Sequence, residues 1–268
     1  MRQSRVVIGV TGAIATALLI LVVGRPLARE VPFLPTPMPV VERMLEMANV
    51  RRGELLIDLG SGDGRIPVLA ARKYGARGLG VDLNEKLVEE AAAKAKEEGV
   101  SDLVEFRVQD LFHTDLSRAD VLTMYLLQSV NDKLRPRILK EMRPGARVVS
   151  HSFNMGPWKP DQKDTIDGRD VFMWIVPARP DGKWVLANGD QQFALAIRNR
   201  TEHAPDYEAA AELDGRWIQL ENFEVRGEEI TFDIDLGGET HTMTGRVKDG
   251  HLADLESDRG GNWVASPA

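Results

Sequence analysis

The spacing of apolar residues divides this chain into three stretches with different periods. Val6 to Gly24 holds no charged residue. At 1.5 Å per residue a helix of that length spans about 28 Å, close to a bilayer core of roughly 30 Å, and the run predicts a membrane span. Pro32, Pro35, Pro37 and Pro39 follow as a stiff extended linker. Helical stripes then alternate with short buried runs. Val40, Val41, Met44, Leu45 and Ala48 predict a helix, either packed in the core or laid over a ligand pocket. Leu55–Leu59, Gly78–Val81 and Val104–Gln109 read as strands, with a helix starting at about Arg65 and another over 84–98. Asn84 is its expected N-cap and Gly99 its C-cap. Val121 to Leu127 predicts a fourth strand, Leu134–Met142 a helix, and Arg147–Phe153 a fifth strand introduced by the turn Pro144-Gly145. Val171–Val176 and Lys183–Leu186, split by Asp181-Gly182, suggest a closing hairpin. Such alternation belongs to an α/β fold with a mostly parallel sheet.

From about residue 188 the period drops to two. Phe193/Leu195/Ile197, Ile230/Phe232/Ile234/Leu236 and Met243/Gly245/Val247 alternate with polar residues. Asp214-Gly215, Arg226-Gly227, Gly237-Gly238, Asp249-Gly250 and Gly260-Gly261 supply hairpin turns. The expected organisation is an anchor over 1–30, an α/β domain over 31–187 and a small antiparallel β domain over 188–268.

Composition narrows the chemistry. The chain has no Cys and only 5 His, which excludes a disulfide framework, a thiolate metal site and a Cys nucleophile. No His pair has metal-ligand spacing, and no metal is expected. Residues 188–268 carry 7 Lys and Arg against 17 Asp and Glu. That acidic segment argues against nucleic acid as a partner. Arg2 and Arg5 precede the apolar run and Arg25 and Arg29 follow it, so flanking charge leaves its orientation open. A cleaved secretory signal is the rival reading, but its apolar core runs only about 7–15 residues.

The chemistry concentrates in Asp58-Leu59-Gly60-Ser61-Gly62-Asp63-Gly64-Arg65. A strand breaks into a glycine loop and a helix follows, which lets backbone approach an anionic or polar ligand. Asp82 ends the next strand, where a carboxylate can take both hydroxyls of a ribose, and Asp110 closes the third. Three carboxylates at three successive strand ends point to one crevice; the rival reading makes each a helix or turn cap. The third glycine comes one position too early for G-x-G-x-x-G, which disfavours a nicotinamide cofactor.

This constellation resembles the class I, seven-strand S-adenosylmethionine-dependent methyltransferases. The resemblance spans about residues 32–187 and implies a Rossmann-like sheet with S-adenosylmethionine as cofactor. It assigns Gly60, Gly62 and Gly64 to the methionine part, Asp58 to its ammonium, Asp82 to the ribose, and Asp110 with Leu111 to the adenine. Within that family, Val31–Pro37, Asp58–Ile66, Met124-Tyr125-Leu126-Leu127 and Asn131 are similar to the membrane-anchored protein-lysine methyltransferases of the ATP synthase c-subunit and adenine nucleotide translocase type. About 80 further C-terminal residues depart from that pattern. The resemblance implies a protein substrate, with a membrane protein among the candidates, and Tyr125 and Asn131 at the acceptor site. His151 and Trp158 are further candidates to line its mouth, and each of the four has an alternative as core packing. Because S-adenosylmethionine is a cytosolic metabolite, a chain anchored through 6–24 is expected to face its catalytic domain to the cytoplasm. The rival functions are methylation of a lipid-soluble small molecule and a non-catalytic S-adenosylmethionine sensor.

Overall fold

The computed structural model describes residues 33–268; the expected anchor over 6–24 lies outside the described residues. Among the described residues no helix is long and apolar enough to cross a membrane.

A seven-stranded sheet carries the first half of the chain. Its strands are β1 (Leu55–Leu59), β2 (Arg77–Asp82), β3 (Val104–Val108), β4 (Val121–Met124), β5 (Arg147–His151), β6 (Gln162–Ile166) and β7 (Arg169–Ile175). Their spatial order is β3-β2-β1-β4-β5-β7-β6. The first five are parallel, and β7 runs antiparallel to both β5 and β6. The chain order reverses direction between β1 and β4, the switch point outside whose C-terminal strand ends this kind of sheet binds its ligand.

Strand alternation splits the burial of this sheet between two faces. Ile57, Leu59, Leu122, Met124, Val148 and Trp174 face α4 (Gln128–Glu141) through its Leu134 and Ile138. Leu56, Val121, Val149, Val171 and Met173 meet Val40, Val41, Met44 and Leu45 of α1 (Met38–Met47), and Ile66 and Leu69 of α2 (Arg65–Tyr74). The helix α3 (Glu85–Glu97) closes the β2–β3 end, with Ala95 packed on Val68 of α2 and Val104 of β3. Asn84 caps α3 as expected: its Oδ1 accepts the amides of Lys86 and Leu87 at 3.1 and 3.5 Å.

Three expectations need correction. The fourth strand stops at Met124, because its register with β1 and β5 ends there, and Leu127 already caps α4 in an extended conformation. α4 therefore starts six residues before the expected Leu134 and carries Pro136 inside it. The expected hairpin between Val171–Val176 and Lys183–Leu186 does not form. β7 pairs with β6, a polar edge strand whose residues Gln162 and Lys163 are exposed and give no apolar period.

The segment Gly182–Asn188 is instead β8, in a second, antiparallel sheet of order β11-β10-β9-β8-β16. That sheet holds β9 (Gln191–Asn199), β10 (Tyr207–Leu213), β11 (Arg216–Gln219) and β16 (Val264–Pro267). A third sheet, β12-β13-β14-β15, is formed by β12 (Glu221–Arg226), β13 (Glu229–Asp235), β14 (Thr240–Lys248) and β15 (His251–Ser257). All five expected glycine turns lie between successive strands of these two sheets. The two sheets share one core, in which Trp184, Leu186, Phe193, Leu195, Phe232, Met243 and Trp263 pack together.

Candidate active site

The glycine loop is held against the end of β2 by its own amides. Gly60 and Ser61 donate to the Val81 carbonyl at 2.9 and 3.0 Å, and Gly62 donates to Asp82 Oδ2 at 3.0 Å. Gly64 begins α2 with φ +74°, and a Cβ there would lie 2.6 Å from the Phe106 ring and 2.7 Å from Ala91. The third glycine thus allows both the left-handed turn and the close packing of the loop on β3 and α3. Asp63 is bound at 2.7 Å by Arg65 and at 2.9 Å by Lys94. Burial raises its pKa, but the hydrogen bonds of Arg65 and Lys94 outweigh that and hold it at about 2. Arg65 also donates to the Thr36 carbonyl at 2.8 Å, which ties the proline-rich segment to the loop.

The three expected carboxylates do gather at neighbouring strand ends. Asp58 is 2% exposed and accepts the Thr123 hydroxyl at 2.7 Å. Burial pushes its pKa up to about 7, against the Thr123 hydrogen bond and helped by the nearby charges of Asp82 and Asp63. Asp82 accepts Gly62 on one oxygen and Asn84, at 2.9 Å, on the other, and each oxygen keeps a lone pair. Asp110 accepts the Phe112 amide at 2.8 Å, and Leu111 beside it is half-buried against the core. Part of the capping alternative is therefore correct: Asp110 caps the short turn after β3, at the C-terminal end of that strand. The hydroxyl of Ser61, inside the glycine loop, is buried with no hydrogen-bond partner among the described residues.

Tyr125 stands just beyond β4 and packs on His151 with ring centroids 3.9 Å apart and planes tilted by 34°; Phe153 lies 6.4 Å away on a near-parallel ring. Ser152 makes this possible by turning the chain after β5 with φ +64°, a conformation uncommon for a side-chain-bearing residue. His151 is 1% exposed, and its Nδ1 lies 3.1 Å from Thr36 Oγ1. Burial first, then the positive charge of Arg169, lower its pKa to about 4, so the imidazole is neutral at physiological pH.

Asn131 is not brought to the same place. It is fully buried on α4, and its Nδ2 lies 3.3 Å from Ser150 Oγ and from the carbonyls of Phe153 and Asn154. Ser150 and His151 point to opposite faces of β5, so Asn131 and Tyr125 lie on opposite faces too. Trp158 is core: it packs on Trp174 and its carbonyl accepts the Trp174 indole N–H at 2.8 Å. The helix α1 packs on β5 and β7, and Thr36, just ahead of it, reaches His151. Thr36 and Thr123 were not singled out from sequence. Thr123 had a legible signal, as the one polar side chain in the buried run Val121-Leu122-Thr123-Met124.

The sheet order, the glycine loop and the three acids fit S-adenosylmethionine, and the unpartnered Ser61 hydroxyl leaves a polar atom for a ligand to satisfy. Fold and site together define a class I S-adenosylmethionine-dependent methyltransferase. The ANTKMT methyltransferase domain family matches residues 58–162. A protein-lysine N-methyltransferase of Saccharolobus islandicus is 42% identical over 152 residues, covering 55% of this chain and 94% of that protein. The human lysine N-methyltransferase of the ATP synthase c-subunit is 34% identical over 155 residues, 57% of this chain and 65% of that protein. The chain belongs to this family of methyltransferases. Among solved structures, an RNA methyltransferase from Salinibacter ruber, in complex with S-adenosyl-L-homocysteine, is 53% identical with a TM-score of 0.54; the match covers 55% of this chain and 95% of that one.

Proposed function

We propose that this enzyme methylates lysine side chains of a protein, from a position tethered to a membrane through residues 6–24 with the catalytic domain on the cytoplasmic side. The observation that carries the acceptor assignment is the aromatic cluster of Tyr125, His151 and Phe153 at the C-terminal ends of β4 and β5. When bound, S-adenosylmethionine supplies an electrophilic methyl group, which leaves this chain to position the acceptor and exclude water. A lysine with its ordinary pKa near 10.4 must lose a proton first, at a cost of about 4–5 kcal/mol at pH 7. Apolar rings and a neutral imidazole lower that cost by making the ammonium form less favourable. Asp58 would hold the cofactor's ammonium, Asp82 its ribose and Asp110 with Leu111 its adenine, while Gly60, Gly62 and Gly64 let the backbone come close to the methionine part. The names of the curated relatives, which act on protein lysine, support the same reading.

RNA is the second acceptor to weigh, because the Salinibacter relative is described as acting on it. Against it stands the formal net charge of −7, since RNA binding draws on basic surface. Incubating the full chain with methyl-labelled S-adenosylmethionine and membranes, then separating protein, RNA and lipid, tests the reading. Label should appear as methyllysine in protein, and the enzyme should stay with the membrane through a carbonate wash. Label confined to RNA or lipid would overturn the acceptor, and a washed-off enzyme would overturn the tether.

A further inference from the structure

The aromatic cluster contains one atom that core packing does not explain. His151 is almost fully buried, and its Nε2 has no hydrogen-bond partner among the described residues. Burying a polar ring atom unpaired is unfavourable, so such atoms usually find a protein group, a water or a ligand. The ring is fixed on both of its other sides. Tyr125 covers its face at 3.9 Å, and Thr36 Oγ1 holds Nδ1 at 3.1 Å. Nε2 is what remains, at the C-terminal end of β5, beside β4 with its Thr123 and two strands from Asp58 on β1.

We propose that His151 binds the methyl acceptor directly: Nδ1–H donates to Thr36 Oγ1, and the bare Nε2 lone pair accepts an N–H from the incoming lysine amine. The inference rests on the lysine reading above. Thr36 is then a positioning residue, because the bond made by one ring nitrogen sets the tautomer at the other. Holding one N–H of a neutral amine leaves its lone pair to be aimed at the methyl carbon, which is the alignment an in-line displacement requires. The ring does not act as the proton sink. A nitrogen whose pKa has been brought to about 4 stays neutral beside Arg169, and the ammonium proton leaves to water as the amine enters the apolar cluster.

Two measurements on the full chain decide this. Long-range proton–nitrogen NMR on the ¹⁵N-labelled protein should show His151 protonated at Nδ1 and bare at Nε2, unchanged from pH 6 to 8. Thr36→Ser should keep that pattern, and Thr36→Val should mix the tautomers. With labelled S-adenosylmethionine and poly-lysine as probe, His151→Phe should keep the packing on Tyr125 and cofactor affinity within about twofold. Its kcat/KM for poly-lysine should fall at least tenfold, with His151→Gln recovering part because its amide oxygen lies near the place of Nε2. A protonated Nε2, or a wild-type rate in His151→Phe, overturns the proposal. Label transferred by the wild-type chain to RNA and not to poly-lysine overturns the lysine reading itself and removes the acceptor this inference needs.

Discussion

Asp58 has a proton to lose close to neutral pH, and burial is the main reason. Its folded pKa of about 7 lies above the ordinary 3.8, so the folded state binds more protons than the unfolded one between those values. The contribution of Asp58 to stability is complete below pH 4 and is lost as pH rises through 7. Asp58→Asn, which cannot ionise, should therefore gain on the wild type in melting temperature from pH 4 to pH 8; parallel curves would contradict the assignment. His151 acts with the opposite sign: with its pKa lowered to about 4, stability is lost as pH falls from 6.5 towards 4. Asp58 makes a second prediction for the ligand. S-adenosylmethionine is a cation at its ammonium and sulfonium and favours the ionised carboxylate, so its affinity should rise between pH 6 and 8 with release of a proton. Calorimetry in two buffers of different ionisation enthalpy measures that proton, and Asp58→Asn should abolish it.

Among the elements, α4 controls a loop that it does not touch in sequence. Arg137 donates to the carbonyls of Phe112 and Thr114 at 2.6 and 2.8 Å while Glu141 braces its guanidinium at 2.7 Å. Those carbonyls belong to the turn after β3 that begins at Asp110 and Leu111. Arg137→Met keeps the apolar stem and removes both bonds, at about 1.5–3 kcal/mol for a bond to a charged donor. Cofactor affinity should fall several-fold although Arg137 itself is remote from the ligand. Glu141→Gln should have a smaller effect, since the carbonyl bonds remain. Equal cofactor affinity in Arg137→Met and wild type, measured by calorimetry, would separate this loop from adenine binding. The element was only half legible from sequence. Leu134 and Ile138 give a helical stripe, whereas Gln128–Lys133 is polar apart from Val130, and Pro136 argues against a long helix. Tertiary contacts override that: Asn131 and Arg135 are buried through bonds to the loop after β5.

On the scale of the molecule, two cores divide the chain near residue 180. Trp174 and Val176 belong to the first sheet's core, and Trp184 and Leu186 to the core shared by the other two sheets. The two parts meet through Ala178 N–H to the Gly227 carbonyl at 2.6 Å, Arg226 to Asp161 at 2.8 Å, and Ala204 packed into the first core. A chain ending at residue 180 should thus retain cofactor binding. One ending at 188 should be the less soluble, because it leaves β8 without β9 and β16 and exposes Trp184 and Leu186 on an unpaired strand. Light scattering and cofactor titration on the two truncations check this; equal solubility would contradict the assignment of β8 to the second sheet.

Where information was local, the chain's letters sufficed. Asp58-Leu-Gly-Ser-Gly-Asp-Gly is a strand, a left-handed loop and a helix start within ten residues, and Asp82 and Asp110 sit one and two α/β repeats further on. Each of these depends on backbone conformations that only certain residue types tolerate, so sheet type follows from order and spacing, and the cofactor from the family that the motif resembles. The glycine turns of the last 80 residues were legible for the same reason. Partnership across distance was not. Lys183–Leu186 has the same alternation whether it pairs with Val171–Val176 or with Phe193–Ile197, and only the competition between two cores for Trp184 decides it. Thr36 meets His151 across 115 residues. The neutral imidazole, the shifted Asp58 and the separation of Asn131 from Tyr125 are properties of burial and of facing, which arise only once the sheet has closed.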